Sequence, residues 1–224
     1  MTGYSVKKTL RYMLATLILT ITLLWSSCAS ANINGTIILL VDISSSISMS
    51  NLHLQLDSYA DSMTSVGGLY GAHVVAIVFD AVPRLISSGT NLDAYHAFTN
   101  YPRLEAQYRG NTCLASALEF VELMIPTLPQ PVILDISGDG EANCGRQATI
   151  PATLDRIAAQ NVQVNTLFIT SGDFNAMSVG PHFTPYFFYQ SMRRNNGFSV
   201  VANGFQEFEI SLFEKLTLEL SYLD

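Results

Sequence analysis

Residues 37–46 read Ile-Ile-Leu-Leu-Val-Asp-Ile-Ser-Ser-Ser. An apolar run stops at Asp42, and hydroxyls follow at alternate positions, Ser44 and Ser46. A carboxylate and two hydroxyls are hard oxygen donors, a set that suits Mg²⁺ or another hard divalent cation. Two later segments add oxygens of the same kind. Gly110-Asn111-Thr112 puts a hydroxyl where a helical pattern begins, and Ser137-Gly138-Asp139-Gly140 puts a carboxylate just after the apolar run 132–136. The candidate metal ligands are therefore Asp42, Ser44, Ser46, Thr112 and Asp139. A serine-rich turn also has a plainer use, since Ser44, Ser46 and Ser48 can satisfy backbone groups and cap a following helix. Metal binding outweighs that use only if the fold brings all three segments to one place.

The elements that would do so alternate along the chain. Apolar, β-branched runs at 36–41, 73–79, 131–136 and 162–169 predict strands, with a short one at 198–201. Asp80-Ala81 makes a tight turn into a return strand at 82–87. Leu52, Leu56, Tyr59, Ala60 and Met63 recur at helical spacing, and Gly67-Gly68 stops that helix. Further helices are predicted over 91–101 (Leu92, Tyr95 and Phe98 inward), 112–125, 147–160, 185–194 and 205–220. In the last, Phe208, Leu212, Leu216 and Leu220 share a side. Strands alternating with helices predict an α/β fold: a three-layer, doubly wound, mostly parallel sheet with one antiparallel edge strand. Buried parallel strands read as continuous apolar runs. Their C-terminal ends line the crevice where open α/β sheets bind ligands. Asp42, Thr112 and Asp139 would converge there.

The start of the 224-residue chain reads as a secretory signal: Lys7, Lys8 and Arg11, an apolar stretch over 12–25, then Ala29-Ser30-Ala31. The expected organisation is a signal peptide at 1–31 and one domain over 32–224. The apolar stretch is short for a membrane span, so an uncleaved anchor, or lipid attachment at Cys28, ranks below cleavage. The chain carries a net charge of −7. Losing three basic residues and no acid leaves the domain near −10, which argues against nucleic acid as a partner. The expected location is periplasmic or secreted, with no membrane span after cleavage. Cys113 and Cys144 remain, and in an oxidising compartment they can form a disulfide. It would close 113–144 into a loop worth about 3–4 kcal/mol on the chain-entropy model. The alternative is two separate buried thiols.

Asp42-x-Ser44-x-Ser46, a Thr112 soon after Gly110, and Asp139-Gly140 after an apolar strand together resemble the von Willebrand factor type A domain. The pattern looks like that family's metal-ion-dependent adhesion site (MIDAS). Val41-Asp42-Ile43-Ser44, the stretch Leu134-Asp135-Ile136-Ser137-Gly138-Asp139-Gly140 and Phe213-Glu214-Lys215-Leu216 resemble an uncharacterised bacterial subfamily of exported single-domain proteins. The similarity covers nearly all of 35–222. Ser45 departs from the pattern, because relatives often carry Gly between the motif serines, but that position is not a ligand. The cysteine pair is also unusual for the family. Lying beside Thr112 and shortly after Asp139, it would tie two ligand-bearing loops together.

The resemblance implies that Ser44 and Ser46 bind the cation directly and that Thr112 binds directly or through water. Asp42 and Asp139 would hold waters around it. The cation would be Mg²⁺, with Mn²⁺ or Ca²⁺ as alternatives. Neutral hydroxyls leave it under-neutralised, so a protein partner's Asp or Glu carboxylate can take an open position. That is binding, not catalysis. A hydrolase or phosphatase is the runner-up reading, but no second acid stands two residues after Asp42, no Gly-rich phosphate loop follows the first strand, and Gly-x-Ser-x-Gly is absent. A structural subunit with a permanently closed metal site is a third. The four histidines are scattered and none pairs with another at metal spacing. Asp80 reads as a turn residue, Asp173 as a loop cap, and Asp135, mid-strand, as a buried carboxylate in need of partners.

Overall fold

The computed structural model describes residues 35–102, 110–140, 142–170 and 190–223. The chain divides into two compact units, Met1–Ala31 and Asn32–Asp224. The first lies outside the described residues, and with it the expected signal and Cys28. Asp173, His182 and the first half of the helix expected over 185–194 also lie outside them.

Within the second unit the strands are β1 (Thr36–Asp42), β2 (His73–Phe79), β3 (Pro83–Gly89), β4 (Val132–Gly138), β5 (Val162–Ile169) and β6 (Ser199–Ala202). They form one sheet in the order β3-β2-β1-β4-β5-β6. Every pairing is parallel except β3 against β2. The chain winds outward from β1 through β2 to β3, then crosses back to β4 and winds out the other way. The reversal falls between β1 and β4, the switch point at which such sheets bind ligands.

Alternate side chains of β1 feed two cores, as the two-residue period of a strand requires. Ile37, Leu39 and Val41 face α1 (Met49–Ser65), α2 (Asn91–Asn100) and α5 (Phe208–Leu220) through Leu52, Tyr59, Phe98, Phe208 and Leu212. Ile38 and Leu40 face α3 (Leu114–Met124) and α4 (Ile150–Ala158) through Leu118, Val121, Leu154 and Ile157. The result is the three-layer, mostly parallel α/β arrangement with one antiparallel edge strand.

Several details differ from the expected pattern. In α2 the inward residues are Asn91, Ala94 and Phe98, while Leu92 is 50 % exposed. A capping box at Thr90 and Asp93 holds the start at Asn91, where it was expected, so the difference lies in which face packs on the core. The helix expected from 112 begins at Leu114, so Thr112 precedes it by two positions. The helix expected from 147 opens as a 3₁₀ turn, Gln147–Thr149, and becomes α-helical at Ile150, where Pro151 suits the first turn.

Asp135 finds its partner in α5. Its Oδ1 lies 2.7 Å from Lys215 Nζ, which also pairs with Glu219 one turn on. All three side chains are fully buried. Asn165 Nδ2 donates to Glu219 Oε1 at 2.9 Å, and Asn165 Oδ1 accepts from Phe198 N at 3.0 Å. The Lys215 ammonium also lies 5.8 Å from the centre of the Phe198 ring. Two carboxylates thus share one ammonium in a dry interior. Burial is the main cause that pushes both acids up: Asp135 rises, and Glu219 is pushed from 4.5 up to about 7, against the opposing pull of Lys215.

Folded Glu219 therefore holds its proton at pH values where the unfolded chain has released it. Its contribution to stability is complete below about pH 4.5 and is lost as pH rises through about 7. Unfolding free energies of wild type and Glu219→Gln should diverge by about 2–3 kcal/mol between pH 5 and pH 8, the wild type falling more steeply. Urea titrations across that range measure this, and parallel curves would refute it.

Candidate functional site

The end of β1 turns sharply. Asp42, fully buried, accepts the Ser44 N–H on Oδ1 at 2.7 Å. That bond holds the turn in which Ser44 and Ser46 point the same way, their hydroxyl oxygens 3.0 Å apart. Ser48 then caps α1, accepting from Asn51 N at 3.2 Å. The capping role thus falls to Ser48, leaving Ser44 and Ser46 for other work. Gln55, buried in α1, donates to the Asp42 carbonyl at 3.2 Å and ties the helix to the strand end.

Thr112 comes from across the crevice. Its hydroxyl donates to Ser44 Oγ at 2.9 Å. Ser46 Oγ donates to Asp139 Oδ1 at 2.8 Å. Each hydroxyl has one proton to give. Ser46 gives its own to Asp139, so Ser44 must give its own to Ser46. The protons run one way, from Thr112 through Ser44 and Ser46 to Asp139. The structure thus gathers Asp42, Ser44, Ser46, Thr112 and Asp139 into one cluster at the C-terminal ends of β1 and β4. Asp42, Ser44 and Thr112 are buried, whereas Ser46 is exposed and Asp139 half-buried, so the cluster opens to solvent on one side.

The loop bearing Thr112 is fixed by backbone bonds on three sides. Ser45 N donates to Gly110 O at 3.1 Å. Gly110 N donates to Asp80 Oδ2 at 3.3 Å, and Cys113 N to Asp80 O at 2.9 Å. Thr112 N donates to Asn143 Oδ1 at 2.9 Å, and Asn143 N returns a bond to Thr112 O at 3.1 Å. A Cβ at Gly110 would lie 2.6 Å from the Ala81 Cβ, so this close approach requires glycine. Asp80 keeps the turn role read from sequence and adds this one. It also accepts the Val82 N–H and forms a bidentate pair with Arg84 at 2.8 and 2.9 Å.

Cys113 and Cys144 form a disulfide, with Cα atoms 5.0 Å apart. Their chain neighbours Thr112 and Asn143 form the two-bond ladder above, so the cross-link sits at the edge of the site. On the β4 side, Tyr59, fully buried, donates to Ser137 Oγ at 2.8 Å, two residues before Asp139. Sequence reasoning missed Asn143, because an exposed asparagine in a Gly- and Asn-containing loop carries no signal of its own. The adjacent Cys144 was the only pointer to that loop.

Among the described residues, no group of three or more His, Cys, Asp or Glu could hold a metal. The cluster is hydroxyl-rich, and its donors are all oxygens. Such a set could hold a hard divalent cation and has little affinity for soft ones. Among the described residues no helix is long and apolar enough to cross a membrane.

Residues 85–224 match a family described as "Protein of unknown function (DUF1194)". No curated protein matches the chain. Among solved structures it is similar to proximal thread matrix protein 1 from the mussel byssus, with a TM-score of 0.63 and 20 % identity over 84 % of this chain and 48 % of that one. The same mussel protein is also known with a zinc-occupied MIDAS motif, at TM-score 0.61 and 19 % identity over 84 % and 48 %. An aerotolerance-related membrane protein from Bacteroides fragilis matches at TM-score 0.59 and 14 % identity, over 82 % of this chain and 99 % of that one. A von Willebrand factor type A structure from Catenulispora acidiphila matches at TM-score 0.55 and 12 % identity, over 85 % and 42 %. The chain spans about half the length of the mussel protein. At these identities the likeness is one of fold, and that fold is the von Willebrand factor type A fold.

Proposed function

The chain belongs to the DUF1194 family and has a von Willebrand factor type A fold, and from that premise we propose that it is an exported, cation-dependent protein-binding module. The domain would be residues 32–224, released by cleavage after Ala31. Ser44 and Ser46 would bind the cation directly, Thr112 directly or through water, and Asp42 and Asp139 would orient bound waters. Mg²⁺ is the first choice, with Mn²⁺ and Ca²⁺ as alternatives. When bound, the cation supplies positive charge at an open coordination position, where a partner's Asp or Glu carboxylate can sit.

One observation carries this reading: three hydroxyl oxygens from two chain segments lie at 2.9 and 3.0 Å steps. Oxygens on adjacent corners of an octahedron around Mg²⁺ are about 2.9 Å apart, given metal–oxygen bonds of about 2.0–2.1 Å. The donors therefore stand at the spacing a cation of that size needs. The two carboxylates at the cluster's edges are placed to accept protons from water or hydroxyl once the lone pairs turn to the cation. The zinc-occupied MIDAS of the mussel protein supports divalent-cation binding on this fold. Opening through Ser46 and Asp139 favours an incoming ligand over a sealed structural ion.

The test is capture of partners from the exported fraction on immobilised wild type and Asp42→Ala. Capture by wild type in Mg²⁺ is expected to disappear in EDTA and to be missing in Asp42→Ala. Undiminished capture in excess EDTA would overturn the reading.

A further inference from the structure

We propose that the Cys113–Cys144 disulfide makes cation binding at this cluster redox-dependent, with Asn143 as the positioning residue that transmits the state of the bond to Thr112. The inference rests on the cation-binding reading above and names a means of regulating that site.

Thr112 is the one hydroxyl of the cluster that does not come from the β1 turn. Bonds to Ser45 and Asp80 anchor the ends of its loop, and the pairing with 142–145 holds Thr112 itself. Both backbone polar groups of Thr112 are committed to Asn143. Asn143 itself is exposed. Ala142 beside it packs in the same core cluster as α3, but the segment's polar tie to that helix, Arg146 with Glu119, is on the surface, the side chains being 55 % and 34 % exposed. Exposed ion pairs hold a loop weakly. Beside the ladder, one residue away on both segments, lies the covalent bond. It is a covalent tie, which solvent does not weaken. A cation site needs its donors held at fixed spacing before the ion arrives, and the residues that orient them govern affinity. Closed, the bond holds Asn143 against Thr112 and Thr112 against Ser44. Open, the ladder is left to compete with water.

The bond is also reachable. Cys113 is 9 % exposed and Cys144 is half-buried, and we take Cys144, on the more exposed residue, as the sulfur a dithiol reductant attacks. Its thiolate attacks that sulfur, the Cys113–Cys144 bond breaks, and Cys113 leaves as thiolate and takes up a proton. The reductant's second thiol then closes on its first, releasing Cys144 as the second thiol. In sum, one protein disulfide and one dithiol become two protein thiols and one cyclic disulfide, with two electrons and two protons transferred.

The experiment is calorimetric titration of the folded domain with Mg²⁺, an ion thiols bind poorly, before and after reduction with dithiothreitol. Far-UV circular dichroism is recorded in both states. Reduction is expected to weaken Mg²⁺ binding at least tenfold with the spectrum unchanged. Cys113→Ser/Cys144→Ser should bind as the reduced wild type does, with or without reductant. Asn143→Ala, which keeps the bond, should weaken binding in the oxidised state and shrink the ratio between the two states, a change that a merely structural role would not produce. Equal affinity in both redox states overturns the inference while leaving the cation site intact. Loss of the fold on reduction also overturns it, because the bond would then hold the whole domain. So do free thiols at both positions in protein recovered from its native host. Failure of the oxidised wild type to bind Mg²⁺ overturns the function itself.

Discussion

Lys215→Met should destabilise the domain by about 3–5 kcal/mol at neutral pH, the cost of leaving buried charge without its partner. Methionine fills the space of the lysine stem but removes the ammonium that lies 2.7 Å from Asp135 and also pairs with Glu219. Two fully buried carboxylates would then face each other in an apolar interior. They can escape by taking up protons, which both already favour. The loss should therefore shrink as pH falls. Set against a typical domain stability of about 5–15 kcal/mol, the effect at pH 8 would remove a large share of the total. Replacing all three at once, with Asp135→Leu, Lys215→Met and Glu219→Leu, should restore most of the stability, since apolar packing often matches a buried ion cluster. Urea unfolding of the single and triple variants decides this. A single variant within about 1 kcal/mol of wild type would mean that water reaches the cluster.

The sheet was legible because its strands are buried on both faces and so carry unbroken apolar runs. The strands read at 73–79 and 162–169 are β2 and β5 residue for residue. Helix faces were less legible, because a short helix with few apolar residues fits more than one inward face. In α2 the start was as expected, yet Leu92 went to solvent and Ala94 to the core. The ionic cluster stayed hidden for a related reason. Lys215 and Glu219, four apart on an amphipathic helix, look like a surface pair. Yet Leu212, Leu216 and Leu220 point inward, and residues 215 and 219 lie within the same stripe. Only the buried Asp135, known in sequence as a carboxylate in need of partners, pointed to a hidden cation. The oxygen-bearing residues at the crevice were legible because each stands at the end of an apolar run or at a helix start. Asn143 was not, because what matters about it is a backbone ladder that no side-chain pattern records.

Ser44→Ala should weaken Mg²⁺ binding about 100-fold or more, given that even residues behind the ligands typically cost 10–100-fold. It is also the variant that best separates cation binding from turn formation. The Asp42 bond that shapes the turn goes to the backbone N–H of residue 44 and survives the substitution. What disappears is the middle oxygen of the cluster, the acceptor for Thr112 and the neighbour of Ser46. In the absence of cation the cost should be only about 1–2 kcal/mol, for two altered hydrogen bonds. In its presence the difference grows. At a Mg²⁺ concentration about 100 times the wild-type dissociation constant, binding stabilises wild type by about 2.7 kcal/mol. The same concentration would about equal the variant's dissociation constant and stabilise it by about 0.4 kcal/mol. Unfolding in Mg²⁺ against EDTA should thus move the wild type markedly and Ser44→Ala hardly at all. If the serines only shape a turn, neither protein will respond to Mg²⁺. Asp42→Ala cannot make this distinction, because it removes the turn bond together with the carboxylate. The Asp42 bond that shapes the turn survives the loss of this hydroxyl, so a Mg²⁺ response that vanishes with it belongs to the cation.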